Sequence, residues 1–345
     1  MALSAQFFYE LFYYERFLEM FSFFKKKEDI TILHVNRKSL IKHAQKFLSF
    51  CNKKHRVLVA TDLPVSKILE NIRNSPYVVV GNGTDEKDRE IVGRAREMGL
   101  NCKFIFGEFA WYNWRNNIYF DECGIGKESF LFDKGIDFFN TFDEEVYRFY
   151  YDMTMKSLML GDPVETEGFA FIPMQVDGDS KIVSASPRFR KVDAFLTYVV
   201  KEYLKDFDGK IYIKKHPSDP RTVEQILPSL KSDPDERIED ISERGYSKFS
   251  LLEKSKCLLG INSTFLMESI FLNKRPVSFG LDIFSNKGLT IDGNTTPFEK
   301  IDFDKQVDNK KFVYGLMSRQ INRKKRFNRR IMKKSYWYRY FTESH

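Results

Sequence analysis

Short runs of β-branched and aromatic residues recur along this chain, separated by segments of helical length, and that alternation limits the fold more than any other feature. In the first half the runs fall at 30–35, 56–60, 77–81 and 102–106, with helical stretches at 39–51, 65–73 and 85–98. In the second half they fall at 169–174, 210–215, 256–261 and 276–279, with helical stretches at 191–205, 223–230 and 264–272. Strands spaced by helices of this length form right-handed βαβ units on parallel sheets. An aromatic, methionine-rich helical segment over 137–160 separates the two series and is broken by Gly161, Asp162 and Pro163. We therefore expect an α/β protein with two Rossmann-like parallel-sheet domains, residues 1–162 and 163–305, followed by a basic, aromatic helical tail over 306–345.

Composition bounds the function. A chain of 345 residues with 42% hydrophobic content and 34 phenylalanines has material for two cores and is not a disordered protein. Residues 6–24, QFFYELFYYERFLEMFSFF, read as a helix with a wide apolar face packed on the first domain. Glu10, Glu15, Arg16 and Glu19 interrupt it, which excludes a cleavable signal and a spanning helix. Cys51, Cys102, Cys123 and Cys257 stand far apart with no CxxC pair, fitting neither a zinc site nor a disulfide frame, so a reducing compartment is expected. The net charge is +8, yet residues 310–345 hold 12 Lys and Arg against the single acid Glu343, leaving 44 basic and 47 acidic residues elsewhere. The basic character belongs to the tail, which argues against a nucleic-acid surface on the folded body.

In an open α/β sheet, ligands bind outside the carboxyl ends of the strands. Three such ends in the second half carry polar groups. Phe169 to Ser180, FAFIPMQVDGDS, runs from a buried strand into a loop bearing Gln175, Asp177 and Asp179. Lys214, Lys215, His216 and Pro217 end the next strand, with His216 suited to hydrogen-bond a phosphate. Gly260, Ile261, Asn262, Ser263 and Thr264 lead into a helix whose first turn can receive an anion, with Glu268 one turn further in, placed for ribose hydroxyls. Taken singly, a structural histidine and an ordinary N-cap serine explain the last two equally well. In the first half, Glu108 closes a strand and is followed by WYNWRNNIYFDECGIGKESF, which reads either as an aromatic wall for a sugar or base or as a satellite hydrophobic cluster. Gly81, Asn82 and Gly83 lack the third glycine of a dinucleotide loop and read as a turn. Asp177 and Asp179 spell D-x-D, but so do Asp206 with Asp208, Asp233 with Asp235, and Asp302 with Asp304, so the pattern carries no metal assignment.

The ordered set QVDGD, KKHP, STFLME and GLT (Gly288, Leu289, Thr290), with Gly280 between the last two, resembles the bacterial capsule polysaccharide synthesis proteins, the retaining β-Kdo glycosyltransferases that use CMP-Kdo. Glu108, Trp111, Tyr119, Asp121, Gly124 and Ser129 match more loosely, so the resemblance spans roughly residues 104–292. It implies a GT-B type fold with the two domains facing a central cleft. It implies transfer of β-Kdo from CMP-Kdo to a lipid-linked or oligosaccharide acceptor through a covalent Kdo–Asp intermediate. Asp179, four residues after Gln175, takes the nucleophile role in that register, with Asp177 as the competing acid, and Glu108 deprotonates the acceptor. Gln175, Lys215, His216, Pro217, Asn262, Ser263, Thr264 and Glu268 bind the donor, and Lys214, Arg188 and Arg190 rank below them as partners of the Kdo carboxylate. No cofactor or metal is implied. The tail segment RQINRKKRFNRRIMKKSYWYRY then reads as a peripheral attachment to the anionic inner face of the cytoplasmic membrane. The competing readings are a GT-B enzyme of other chemistry, an inverting transferase or nucleotide-sugar epimerase, and a non-catalytic nucleic-acid-binding protein.

Overall fold

The computed structural model describes residues 30–34, 56–59, 63–80, 83, 86–113, 117–139, 143–228, 235–305, 307–322, 329–337 and 340. The helices expected over 6–24 and 39–51, and Cys51, lie outside these residues. The chain divides into two compact units, one formed by Met1–Ala110, Trp114–Phe130 and Ser318–His345, the other by Trp111–Asn113 and Leu131–Met317.

In the first unit, β1 (Ile30–His34), β2 (Arg56–Val59), β3 (Tyr77–Val80) and β4 (Lys103–Phe109) are parallel in the order β2-β1-β3-β4. Helix α1 (Val65–Ile72) buries Ile68, Leu69 and Ile72, one stripe of its surface. Helix α2 (Glu86–Glu97) buries Ile91, Val92 and Ala95, and its Glu86 and Asp88 at one end with Arg94 and Arg96 at the other complement the helix dipole. Gly83, at φ 71°, lies where a Cβ would stand 2.6 Å from the Phe106 ring, so glycine here serves packing in a turn. The aromatic stretch after β4 is not all loop. It forms β5 (Asn117–Asp121), antiparallel to β4 with Glu108 opposite Tyr119, and all five of its residues are buried. Trp111 and Tyr112, which belong to the second unit, are buried as well.

In the second unit, α3 (Glu144–Leu158) replaces the longer helix expected over 137–160, because Asp143 caps it by accepting from Glu145 N and Val146 N. The sheet holds β6 (Ala170–Pro173), β7 (Ile211–Lys214), β8 (Ile238–Asp240), β9 (Cys257–Gly260), β10 (Val277–Ser278) and β11 (Ile291–Asp292). All pairs are parallel, in the order β11-β10-β9-β6-β7-β8. β6 and β9 are buried along their whole length, as parallel strands covered on both faces must be. Helices α4 (Ser180–Ala185), α5 (Val192–Tyr198, prolonged by a π turn over Val199–Tyr203), α6 (Val223–Ile226), α7 (Lys248–Lys254) and α8 (Thr264–Phe271) intervene. The core packs Ile172, Ile213 and Leu259 of the strands with Phe195, Leu196, Val199, Tyr203 and Phe279.

The expected boundary near residue 162 is not where the units separate. Asp162 N donates to Gly245 O and Ser247 N donates to Asp162 O, both at 2.8 Å, and Val164 N donates to Ser250 Oγ. The turn is therefore fixed inside the second unit and does not act as a linker. The tail also differs from expectation. After α9 (Lys310–Arg319), residues Gln320–Asn322 form β12, which pairs antiparallel with β5 and extends the first unit's sheet, and a short α10 (Arg329–Lys333) follows. Arg319 is buried. Its guanidinium donates to Glu122 Oε2 at 2.8 Å and Oε1 at 3.2 Å and stacks 3.6 Å from the Tyr336 ring, while Tyr336 OH donates to Glu122 at 2.5 Å. Trp337, fully buried, meets Phe120 edge-on and donates from Nε1 to Arg319 O. Arg319, Tyr336 and Trp337, which read as part of a surface tail, here satisfy one another and Glu122 inside the fold. Among the described residues, no helix is long and apolar enough to cross a membrane.

Candidate active site

In the second unit the chain steps outward from β6 through β7 to β8, then returns to β9 on the other side of β6 and steps through β10 to β11. The reversal lies between β6 and β9, and a crevice at the carboxyl ends of two such strands is where open α/β sheets take ligands. Gln175 and Asn262 each stand two residues beyond their strand, on the two sides of that reversal. Gln175 Nε2 donates to Asn262 Oδ1 at 2.9 Å and to Asp179 Oδ2 at 3.1 Å, while its Oε1 accepts from Asn262 N at 3.1 Å. The buried amide thus uses both donor hydrogens and its acceptor. It fastens the two strand ends together and holds the Asp179 carboxylate at their junction.

The loop between them is a tight turn in which Asp179 N donates to Val176 O at 3.1 Å and Gly178 adopts φ 84°. A positive φ at the third turn position favours glycine. The two aspartates of the turn have different surroundings. Asp177 Oδ1 accepts from Val192 N at 2.8 Å, at the start of α5, and its Oδ2 pairs with Arg221 Nη1 at 3.0 Å. Asp179 is held by Gln175, and its carbonyl accepts from Val183 N.

At the end of β7, His216 Nδ1 accepts from Ser218 N at 3.1 Å, so in the neutral ring the proton lies on Nε2. Lys215 N donates to Ser242 Oγ and its Nζ to Arg221 O at 3.2 Å, while Pro217 is exposed. Burial pushes the Lys214 ammonium down from its ordinary value. At the end of β9, Ser263 is the N-cap of α8, its Oγ accepting from Phe265 N, and Thr264 is half-buried. Glu268 is buried with both oxygens bound by Lys248 Nζ, at 2.6 and 2.8 Å. Burial raises its carboxyl above the ordinary value, against the opposing pull of Lys248. The sequence reading missed Lys248, although a glutamate inside the otherwise apolar helix STFLMESIF calls for a counter-charge. Arg188 stacks 3.7 Å from the Tyr198 ring and Arg190 donates to Val183 O, so two of the three cations named for the sugar carboxylate are engaged locally.

In the first unit, Glu108 lies within β4 and is half-buried. Asp121 is an internal loop organiser. It accepts from Cys123 N, Gly124 N, Phe130 N and Ser129 Oγ, the last at 2.6 Å, and burial raises its carboxyl despite Arg319 nearby. Among the described residues no group of three or more His, Cys, Asp or Glu is arranged to hold a metal ion.

The structure is similar to two solved structures of Thermosulfurimonas dismutans KpsC. One, titled beta Kdo 2,7 transferase, is 14% identical with a TM-score of 0.54, covering 85% of this chain and 92% of that one. The other, titled beta Kdo 2,4 transferase, is 16% identical with a TM-score of 0.51, covering 83% and 89%. At these identities the likeness is one of fold, and it is the GT-B type with two α/β units on parallel sheets. In sequence, the chain is 27% identical over 127 residues to Protein FixF of Sinorhizobium fredii (strain NBRC 101917 / NGR234), a match covering 37% of this chain and 30% of that protein's length. The profile of the family described as capsule polysaccharide biosynthesis protein matches residues 149–327, more than half of the chain and the whole run from α3 through the Gln175, His216 and Ser263 strand ends. The matched span contains the residues that meet at the β6–β9 reversal, and the chain belongs to the capsule polysaccharide biosynthesis protein family.

Proposed function

We propose that this chain is a retaining glycosyltransferase that moves β-Kdo from CMP-Kdo to a lipid-linked or oligosaccharide acceptor. The observation that carries the reading is the Gln175 bridge, which brings a strand-end carboxylate, Asp179, to the switch point of the sheet alongside Asn262 and the Ser263 N-cap. A carboxylate at that junction is placed for covalent work. In the first step an Asp179 oxygen forms a bond to the anomeric carbon and the bond from that carbon to the CMP phosphate breaks, its electron pair leaving with CMP. In the second, an acceptor hydroxyl attacks the same carbon, its proton passes to Glu108, and the Asp179 carboxylate is released.

CMP departs without needing a proton, so its phosphate requires charge stabilisation above all. The Nε2–H of His216, the ammonium of Lys215 and the first backbone amides of α8 are of the kind that supply it, with Ser263 and Thr264 on the nucleotide, whereas Glu268, expected there from the sequence, is buried against Lys248. The resemblance of KpsC in fold, and its title as a Kdo transferase, support the sugar assignment. We place the enzyme at an anionic membrane surface through the basic stretch 323–334, of which Arg330 and Lys333 are exposed. Arg330→Glu with Lys333→Glu should then weaken flotation with anionic vesicles at low salt, and unchanged flotation rejects that attachment.

The test of the chemistry is intact-mass measurement after incubation with CMP-Kdo and no acceptor. One Kdo residue is expected on the wild type and none on Asp179→Ala. Turnover of a UDP-sugar with no adduct would instead favour an epimerase or an inverting transferase.

A further inference from the structure

Asp177 competes with Asp179 on paper, yet its surroundings give it another task. It occupies the corner of the turn that presents Asp179, between Val176 and Gly178, and both its carboxylate oxygens are engaged by other elements. One receives the N–H of Val192, where α5 begins. Lys191, at the N-cap of that helix, offers no side-chain cap, so a residue 15 positions upstream closes the helix end in its place. The other oxygen pairs with Arg221, whose planar fork is fixed from behind. Arg221 Nε and Nη2 donate to the two oxygens of Asp219 at 3.0 and 2.7 Å, Arg221 N donates to Asp219 Oδ1 at 3.0 Å, and the Asp219 side chain is 3% exposed. Arg221 O in turn accepts from Lys215, and Asp219 N donates to His216 O.

A bidentate arginine–carboxylate pair fixes orientation as well as charge. Here it leaves one guanidinium corner free to reach across to the turn. The loop after β7 and the loop after β6 are therefore locked in register through one side chain. The hydrogen bonds of Arg221 hold the Asp219 carboxyl below its ordinary value, which keeps the anchor ionised.

We propose that Arg221 is a positioning residue for the covalent step: by clamping Asp177 it fixes the turn that aims Asp179 at the anomeric carbon and ties that turn to the His216 loop. This rests on the Kdo-transfer reading above. It assigns Asp177 to the clamp and excludes it as the nucleophile.

The experiment compares wild type, Arg221→Met, Asp177→Asn and the double variant. Formation of the Kdo adduct from CMP-Kdo without acceptor is followed by rapid quench and intact mass, and CMP affinity is measured by calorimetry. A displacement of the nucleophile on the order of 1 Å costs up to about 100-fold in rate, so Arg221→Met should slow adduct formation by about 10- to 100-fold. CMP affinity should stay within about threefold, since the loss falls on the chemical step. The double variant should be no slower than Arg221→Met, because both changes remove one interaction. Wild-type adduct rates in Arg221→Met overturn the proposal, as do multiplying effects in the double variant or a loss of CMP affinity equal to the loss of rate. If Arg221→Met fails to fold, Asp177→Asn decides alone, since it keeps an acceptor for Val192 and removes only the charge. An adduct that survives Asp179→Ala but not Asp177→Asn transfers the nucleophile to Asp177 and refutes the clamp. Absence of any adduct on the wild type removes the reading beneath it, an outcome separate from these.

Discussion

Replacing Lys248 with methionine isolates the energetics of the buried pair beneath the β9 strand end. Glu268 has a 3% exposed side chain and Lys248 a 30% exposed one, and the ammonium lies 2.6 Å from one carboxylate oxygen and 2.8 Å from the other. Removing one partner of a buried pair costs about 3–5 kcal/mol, because the other charge is left without compensation. The partial exposure of Lys248 puts this case near the lower end, about 3 kcal/mol, and roughly 0.5–1 kcal/mol more comes from its cation–π contact with Phe265, whose centroid is 4.6 Å away. The two contributions separate by pH. Burial already raises the Glu268 carboxyl above its ordinary 4.5, and losing Lys248 raises it further. Between the unfolded and folded values the native state binds more protons than the unfolded one, so stability falls as pH rises through that window. The variant extends the window upward. Its deficit should be largest near pH 7.5 and shrink toward pH 5 as Glu268 takes up a proton, leaving mainly the cation–π loss. Urea unfolding at both pH values measures this, and Lys248→Met with Glu268→Gln should recover most of the neutral-pH deficit. A deficit that is equal at the two pH values, or larger in acid, would refute the account of a desolvated carboxylate held ionised by Lys248.

Arg319→Met should lower stability by about 3–5 kcal/mol in urea titration, since Glu122 loses its partner and the Tyr336 ring its stacked cation; a change under about 0.5 kcal/mol would mean that the pair adds nothing net. Asp121→Ala should cost about 3 kcal/mol or more, because it strips an acceptor from three backbone amides and Ser129 at once, and hydrogen exchange at Gly124 and Phe130 should rise with it. Asn262→Ala removes an acceptor of the Gln175 amide, worth about 1 kcal/mol, and should slow formation of the Kdo adduct by about fivefold without altering the fold by circular dichroism.

The strands that carry the site were legible because each is a continuous apolar run: β6, β7 and β9 fall within one residue of the bounds read from the chain. β8, with the sequence IED, and the two-residue β11 offer no such run, being short and partly exposed. β5 was hidden for another reason. Asn, Tyr and Asp among its residues read as a loop, and only pairing with β4 and β12 makes NIYFD a strand. Partners far apart in sequence account for the remaining misses. Neither Arg221 beside Asp177 nor Lys248 beside Glu268 follows a local period, and each is brought into place by the order of the strands. Arg319 was misread as a surface cation because composition reports charge but not its counter-charge, which here is Glu122, 197 residues away.

The return of the chain to β12 has a consequence for its synthesis. A ribosome releasing about 5–20 residues per second finishes the last of the first five strands roughly 10–40 s before Gln320 and Trp337 emerge. Throughout that interval the outer rim of β5 lacks its neighbour and Phe120 its indole, while nearly everything the second unit needs has been made in one uninterrupted stretch. The unit whose translation begins first is thus the one completed last, and a chain cut between Met317 and Gln320 would injure that unit while sparing the other.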